Sequence, residues 1–187
     1  MIKRLIDLSL ALVSALFLIL PFVLVWLMVR LTSPGDVLYW SDRVGRNNKI
    51  FKMPKFRSMR INTPAVATHL LDNPEQFLTP VGSFLRKSSL DELPQLWSII
   101  RGDMSFVGPR PALFNQEDLI ALRSQYGVDQ LLPGLTGLAQ INGRDELPVP
   151  EKVKLDLAYM QQQSFWFDMK IIVLTFVKVL RREGIQH

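Results

Sequence analysis

Leu90–Pro111 reads LDELPQLWSIIRGDMSFVGPRP. Two adjacent carboxylates, Asp91 and Glu92, stand at the start of an apolar stripe in which Leu90, Leu93, Trp97 and Ile100 recur at helical spacing, widened by Leu96 and Ile99. Arg101-Gly102 suits the end of that helix. A Gly-Asp-Met and a Gly-Pro-Arg-Pro follow, so acidic groups, rigid turns and arginine lie within one short stretch. A site that handles phosphate needs such groups.

A capping role competes with that chemistry. Ser89-x-x-Glu92 ahead of an apolar run matches a capping box. Pro94 weighs against a box begun at Ser89, because it would sit just past the first turn, where its missing N–H matters. A start near Leu90 or Asp91 accommodates the proline and leaves Asp91 at the positive end of the helix, where free N–H groups attract anions. Successive helical residues point about 100° apart, which would suit one carboxylate as nucleophile and its neighbour as base.

Composition narrows the setting. The 187 residues suffice for one packed domain plus an appendage, with net charge +5, a sequence pI of about 9.7 and mean hydropathy +0.16. A basic, apolar chain favours an anionic partner: nucleic acid, acidic phospholipid or a phosphorylated substrate. The absence of cysteine excludes disulfides and thiolate metal sites and fits a reducing compartment.

Leu8–Val29 carries no charge over 22 residues, with Lys3 and Arg4 before it and Arg30 after it. A straight helix of that length spans roughly 33 Å, enough for a bilayer core. The run is too long for the apolar part of a cleavable signal, and no small-x-small site follows it. Pro21 removes one backbone donor and clashes with the carbonyl of Phe17, so a kink is expected there. Three arrangements fit: a kinked span with its ends on opposite faces, a re-entrant hairpin with both ends on one face, or a core helix of a soluble protein. Positive charge at both ends gives no orientation signal and mildly favours the hairpin.

The remainder reads as α/β, mostly helical with a few short strands. VLYW, KIFKM and KFRSM form extended pieces around Gly45-Arg46-Asn47-Asn48. Residues 41–60 hold seven Lys or Arg and one acid, Asp42, with Phe51 and Phe56 among them. That is a solvated basic face or a patch for phosphate or phospholipid; no nucleic-acid-binding motif accompanies it. Residues 62–80 look like a surface loop with room for a short helix. Helices are expected over 114–126, 151–162 and 165–182, and a glycine-rich loop with short strands over 132–144. In the last helix Phe165, Trp166, Met169, Ile172, Val173, Phe176 and Leu180 share an apolar side beside Lys170, Lys178, Arg181 and Arg182. The pattern suits a membrane-interface helix or an amphipathic core helix.

Six ordered blocks carry a family resemblance: KRLID from Lys3, RVGRNNKIFK from Arg43, KFRSM from Lys55, LRKSSLDELPQLW from Leu85, RGDMSFVGPRP from Arg101 and PGLTGLAQINGR from Pro133. Together they resemble the bacterial sugar transferases, monotopic phosphoglycosyl transferases that start lipid-linked glycan synthesis. The small single-domain members, typified by the bacillosamine-phosphate transferases of bacterial N-glycosylation, are most similar. The resemblance implies a re-entrant membrane helix over 1–35, broken at Pro21, and a catalytic domain over 36–187 on the cytoplasmic face of the bacterial inner membrane. The likeness to the small form carries the expectation that no large N-terminal membrane domain accompanies these blocks.

The implied reaction is transfer of a sugar-1-phosphate from a UDP-sugar to undecaprenyl phosphate, releasing UMP, in a ping-pong course with Mg2+. Asp91 would be the nucleophile and a magnesium contact, and Glu92 would deprotonate or position the lipid phosphate. Lys55, Arg86 and Arg110 match positions near phosphate; Arg57, Arg144, Asp156 and Tyr159 are weaker substrate-binding matches. The implied partners are the UDP-sugar, undecaprenyl phosphate and inner-membrane phospholipid, with no nucleic acid. The overall likeness favours an N-acetylated, or diacetamido-trideoxy, hexosamine. Two departures stand out: Leu20-Pro21 where the family has Ser-Pro, and Pro54 where an aromatic usually precedes KFR. The competing readings are a non-catalytic protein that binds anionic lipid through its basic face, and a two-carboxylate glycosidase. Adjacent carboxylates suit the latter poorly, since its two groups must flank one bond.

Overall fold

The computed structural model describes residues 2–64, 73–143 and 147–181. Two helices open the chain: α1, Ile2–Phe17, and α2, Ile19–Thr32. Their axes bend by 63° at the single residue between them, Leu18. The break falls where Pro21 strips the Phe17 carbonyl of its usual partner, while Phe22 N–H still donates to Leu18 O at 2.9 Å. Among the described residues no single helix is long and apolar enough to cross a membrane; the bent pair reaches that length and composition jointly.

Both far ends of this pair are tied to the same body. At the start of α1, Lys3 Nζ lies 2.5 Å from Asp168 Oδ2, and the Arg4 guanidinium donates to the carbonyls of Ile99 and Ile100. Asp7 Oδ1 accepts from Phe106 N–H at 3.1 Å. Just past α2, Ser33 accepts from Arg57 Nη2 at 2.9 Å through its hydroxyl and at 3.1 Å through its carbonyl. The charges that flank the apolar run in sequence are thus partly anchors, each satisfying a group in the globular part.

That part begins with an antiparallel hairpin, β1 Leu38–Val44 and β2 Ile50–Phe56, joined through the expected Gly45–Asn48 turn, in which Asn47 and Asn48 take positive φ. KIFKM and the start of KFRSM are one strand rather than two. Pro54 pairs with Trp40 in a two-stranded ribbon, where a residue without N–H is tolerated on the side that needs no ladder bond. Helix α3, Gly82–Ser88, was not evident from periodicity; it is only seven residues long. The helix expected from Leu90 to Ile100 is split: Leu90–Gln95 winds as a 3-10 turn and α4 covers Leu96–Arg101. Pro94 explains the split, since it cannot donate to Leu90 and crowds that carbonyl. Gly102, at φ 96°, takes the left-handed position that stops α4, as its place in the sequence suggests.

Two short strands, β3 Ser105–Val107 and β4 Gly134–Thr136, pair in parallel. Between them lies α5, Glu117–Gln125; after them come α6 Leu138–Ile141, α7 Val149–Gln162 and α8 Phe165–Arg181. The expected loop over 132–144 therefore contains a strand and a short helix. Its glycines permit a close crossing: a Cβ on Gly134 would lie 2.1 Å from Gly108 N, and one on Gly137 would lie 2.1 Å from Gly108 O. The Gly-Pro-Arg-Pro turn and the PGLTG segment are pressed together there.

The core has two sides. Ala11, Phe51, Met53, Ile99 and Met104 join α1 to the hairpin and α4, and Val25, Val29, Phe56 and Leu85 join α2 to β2 and α3. Tyr159, Ile171, Val107 and Ile141 pack α7 and α8 on the parallel pair. Much apolar surface stays outside: Leu16, Phe17, Leu20 and Leu24 on the bent pair, Trp97 on α4, and Trp166 and Phe176 on α8 are exposed. Trp97 belongs to the predicted core stripe yet is 53% exposed. Patches of this extent mark an interaction surface.

Candidate active site

Ser89 sets the geometry of the acidic pair. It adopts φ 57°, ψ 16° and caps α3 from the left-handed region, with no side-chain hydrogen bond to the next turn. The capping box is therefore not formed. Asp91 and Glu92 are released from that duty, and a non-glycine residue in this conformation carries a cost of roughly 1–2 kcal/mol. Such a strained turn is often kept where it positions functional groups.

Glu92 faces two cations. Lys55 Nζ donates to its Oε1 at 3.0 Å, and Arg110 lies 3.4 Å away through Nη2. Lys55 comes from β2 and Arg110 from the Gly-Pro-Arg-Pro turn, so three separate segments meet at one carboxylate oxygen. Asp91 is 7% exposed. Burial pushes its carboxyl up from the usual aspartate range to about 6; Lys55 opposes the rise, the neighbouring Glu92 charge adds to it, and Arg86 and Arg110 pull it down. Arg86, on α3, also donates to Met59 Sδ at 3.4 Å. The result is a shielded carboxylate beside a second one, ringed by Lys55, Arg86 and Arg110. It can accept a phosphate through the cations and attack phosphorus through Asp91.

Lys55, Arg86 and Arg110, expected near phosphate, thus come together around the acidic pair, while Arg57, Asp156 and Tyr159 have protein partners of their own. Arg57 is buried and tied to Ser33 at the end of α2. Asp156 is buried on α7 and accepts from Arg123 Nη2 at 2.7 Å and Nε at 3.0 Å; Arg123 Nη1 in turn donates to Arg110 O at 2.8 Å. Asp156 reaches the site only through that chain. Burial raises its carboxyl above the ordinary range even against Arg123. Tyr159 shares its hydroxyl proton between Val107 O at 3.0 Å and Asp168 Oδ1 at 2.8 Å, and burial, followed by that carboxylate, raises its pKa. It braces the Lys3 anchor. Arg144 lies outside the described residues.

Among the described residues no cluster of three or more His, Cys, Asp or Glu side chains could hold a metal ion alone. Asp91 is the carboxylate here that could contribute to a Mg2+ site, since that ion commonly takes one or two carboxylates and completes its shell with substrate phosphate and water.

The model of the bacterial sugar transferases matches residues 1–182. The chain belongs to that family. Among curated relatives of the chain, the UDP-glucose:undecaprenyl-phosphate glucose-1-phosphate transferase of Escherichia coli (strain K12) is 41% identical over 95% of the chain and 40% of its own length. The UDP-galactose-lipid carrier transferase of Erwinia amylovora is 37% identical over 98% of the chain and 41% of its own length. The exopolysaccharide production protein ExoY of Rhizobium meliloti (strain 1021) is 40% identical over 98% of the chain and 88% of its own length. The chain thus spans about two-fifths of the first two and most of the third.

One residue behind the site was missed by sequence reading. Arg123 gave no signal, being one basic residue on a helix with no marked apolar face.

Proposed function

We propose that this sugar transferase moves a sugar-1-phosphate from a UDP-sugar to undecaprenyl phosphate. The observation that carries the reading is the convergence of Lys55, Arg86 and Arg110 on a buried Asp91 and its neighbour Glu92. An Asp91 carboxylate oxygen attacks the phosphorus that bears the sugar. The bond from that phosphorus to UMP breaks, UMP leaves with the electron pair, and an aspartyl phosphosugar forms. Lys55 and Arg110 hold the phosphate oxygens. A phosphate oxygen of the lipid then attacks the same phosphorus, Glu92 takes or positions its proton, and the bond to Asp91 breaks to return the free carboxylate. Mg2+, when bound, would be held through Asp91 and would supply further charge screening.

The acceptor dictates a membrane setting. The start of α1 and the end of α2 both bind the same globular body, which supports the re-entrant arrangement with both ends on the cytoplasmic face of the inner membrane. The exposed apolar side of α8 supports contact with phospholipid. With respect to the sugar, the family likeness points to an acetamido hexose, while the relatives whose names give a sugar carry glucose or galactose. The test is UMP release by the purified chain with undecaprenyl phosphate, Mg2+ and a panel of UDP-glucose, UDP-galactose and UDP-acetamido sugars. Release with at least one donor, abolished in Asp91→Asn, is expected. No release with any donor, or undiminished release by the variant, refutes the reaction.

A further inference from the structure

A groove of about 300 Å³ opens beside the acidic pair. Ser89 and Glu92 stand at its wall, and Leu18 at the helix break, Leu96, Leu135, Ile172 and Phe176 give it an apolar lining. It is continuous with exposed apolar surface, since Phe176 is 66% exposed and Phe17 and Leu20 flank the break beside it. Its polar groups are largely consumed internally: the Thr136 and Thr175 hydroxyls lie 2.6 Å apart, and Lys178 donates to Ile141 O. Gln140 is different. It is 9% exposed, and its Oε1 and Nε2 are the only buried polar side-chain atoms of this lining, among the described residues, that lack a protein partner. An unpartnered buried amide costs about 1–3 kcal/mol unless a ligand or water completes it.

The geometry points to this groove as the seat of the lipid acceptor: the isoprenoid units nearest the phosphate lie between the helix break and α8, and the Gln140 amide donates to a phosphate oxygen. The inference rests on the proposed acceptor and adds where it binds. Charge complementarity fixes the polarity, because Lys55 and Arg110 stand on Glu92 at the inner wall, while the other side opens on apolar surface. A phospholipid acyl chain has no use for a mouth lined by a catalytic carboxylate.

The test uses the full chain in phospholipid nanodiscs. Val179 also lines the groove, so Val179→Trp fills it, and Phe176→Ser, at an exposed position, thins its wall without threatening the fold. In both, UMP release in a single turnover without acceptor stays at the wild-type level, while the KM for undecaprenyl phosphate rises about tenfold. An unchanged acceptor KM in both variants overturns the assignment. Independently, undecaprenyl phosphate carrying a diazirine near its phosphate end should label Leu135, Ile172 or Phe176 in the wild-type chain. Labelling confined to other surfaces, or labelling of these residues by a diazirine phospholipid that undecaprenyl phosphate does not compete away, overturns it too. The crosslink needs no turnover, so a chain that released no UMP would sink the transferase reading while the labelled residues still decided the groove.

Discussion

Replacing Asp91 with asparagine should make the protein more stable at neutral pH while removing its activity. The folded-state pKa of Asp91 is about 6, against 3.8 for the ordinary side chain. Below pH 3.8 the carboxyl is protonated in both the folded and unfolded chain and costs nothing. Between 3.8 and 6 the unfolded chain ionises first, so wild-type stability falls as pH rises; above 6 the full cost is present. A difference of about two units at 1.36 kcal/mol each makes that cost on the order of 3 kcal/mol. For a chain of this size it corresponds to a melting temperature about 6–12 °C higher for Asp91→Asn at pH 7.5. Tryptophan fluorescence during heating, in one detergent from pH 4 to pH 8, reads the effect. The gap between variant and wild type should open through pH 4–6 and stay constant beyond. A variant no more stable than wild type at pH 7.5, or a gap of equal size at pH 4, would show that Asp91 is not held at a desolvated, cation-compensated position.

The same titration should govern the chemistry: single-turnover UMP release should lose about tenfold per pH unit below pH 6, because only the ionised Asp91 attacks; a flat profile from pH 5 to 8 argues against it. Arg123→Met strips the buried Asp156 carboxylate of its partner and should destabilise by about 3 kcal/mol, read as a lowered melting temperature. Arg123→Lys keeps the charge but loses the planar fork that links Asp156 to the Arg110 carbonyl; its kcat should fall several-fold with a smaller change in donor KM, and an unchanged kcat rules out that linkage. Ser89→Gly should stabilise by about 1 kcal/mol by relieving the left-handed strain, whereas a formed capping box would make the same change slightly unfavourable.

Legibility followed the range of the interactions. The apolar run, its break near Pro21, the turn at Gly45–Asn48 and the helix stop at Gly102 depend on one or a few neighbouring residues, and each stood where the sequence put it. Convergence of Lys55, Arg86 and Arg110 on the acidic pair came from ordered motifs, since no local pattern brings β2, α3 and the Gly-Pro-Arg-Pro turn together. What escaped was set by tertiary contact. Ser89 looks like a cap in sequence, yet it turns the chain between α3 and the 3-10 segment instead. The β3–β4 pairing joins residues about thirty positions apart through strands of three residues, too short for any alternation to register. Arg57, Asp156 and Tyr159 are polar residues of the kind a phosphate site uses, and the protein partners they hold, Ser33, Arg123 and Asp168, could not be read from the sequence.

The central claim is that Asp91 carries the sugar phosphate between donor and acceptor. Intact mass of the full chain, taken after mixing with a turned-over UDP-sugar and Mg2+ in the absence of lipid acceptor, tests it most directly. One phosphosugar adduct per chain, mapped to Asp91, matched by one UMP and discharged on adding undecaprenyl phosphate, is the predicted result. UMP formed only when the acceptor is present, with no adduct at any time, would contradict the covalent route.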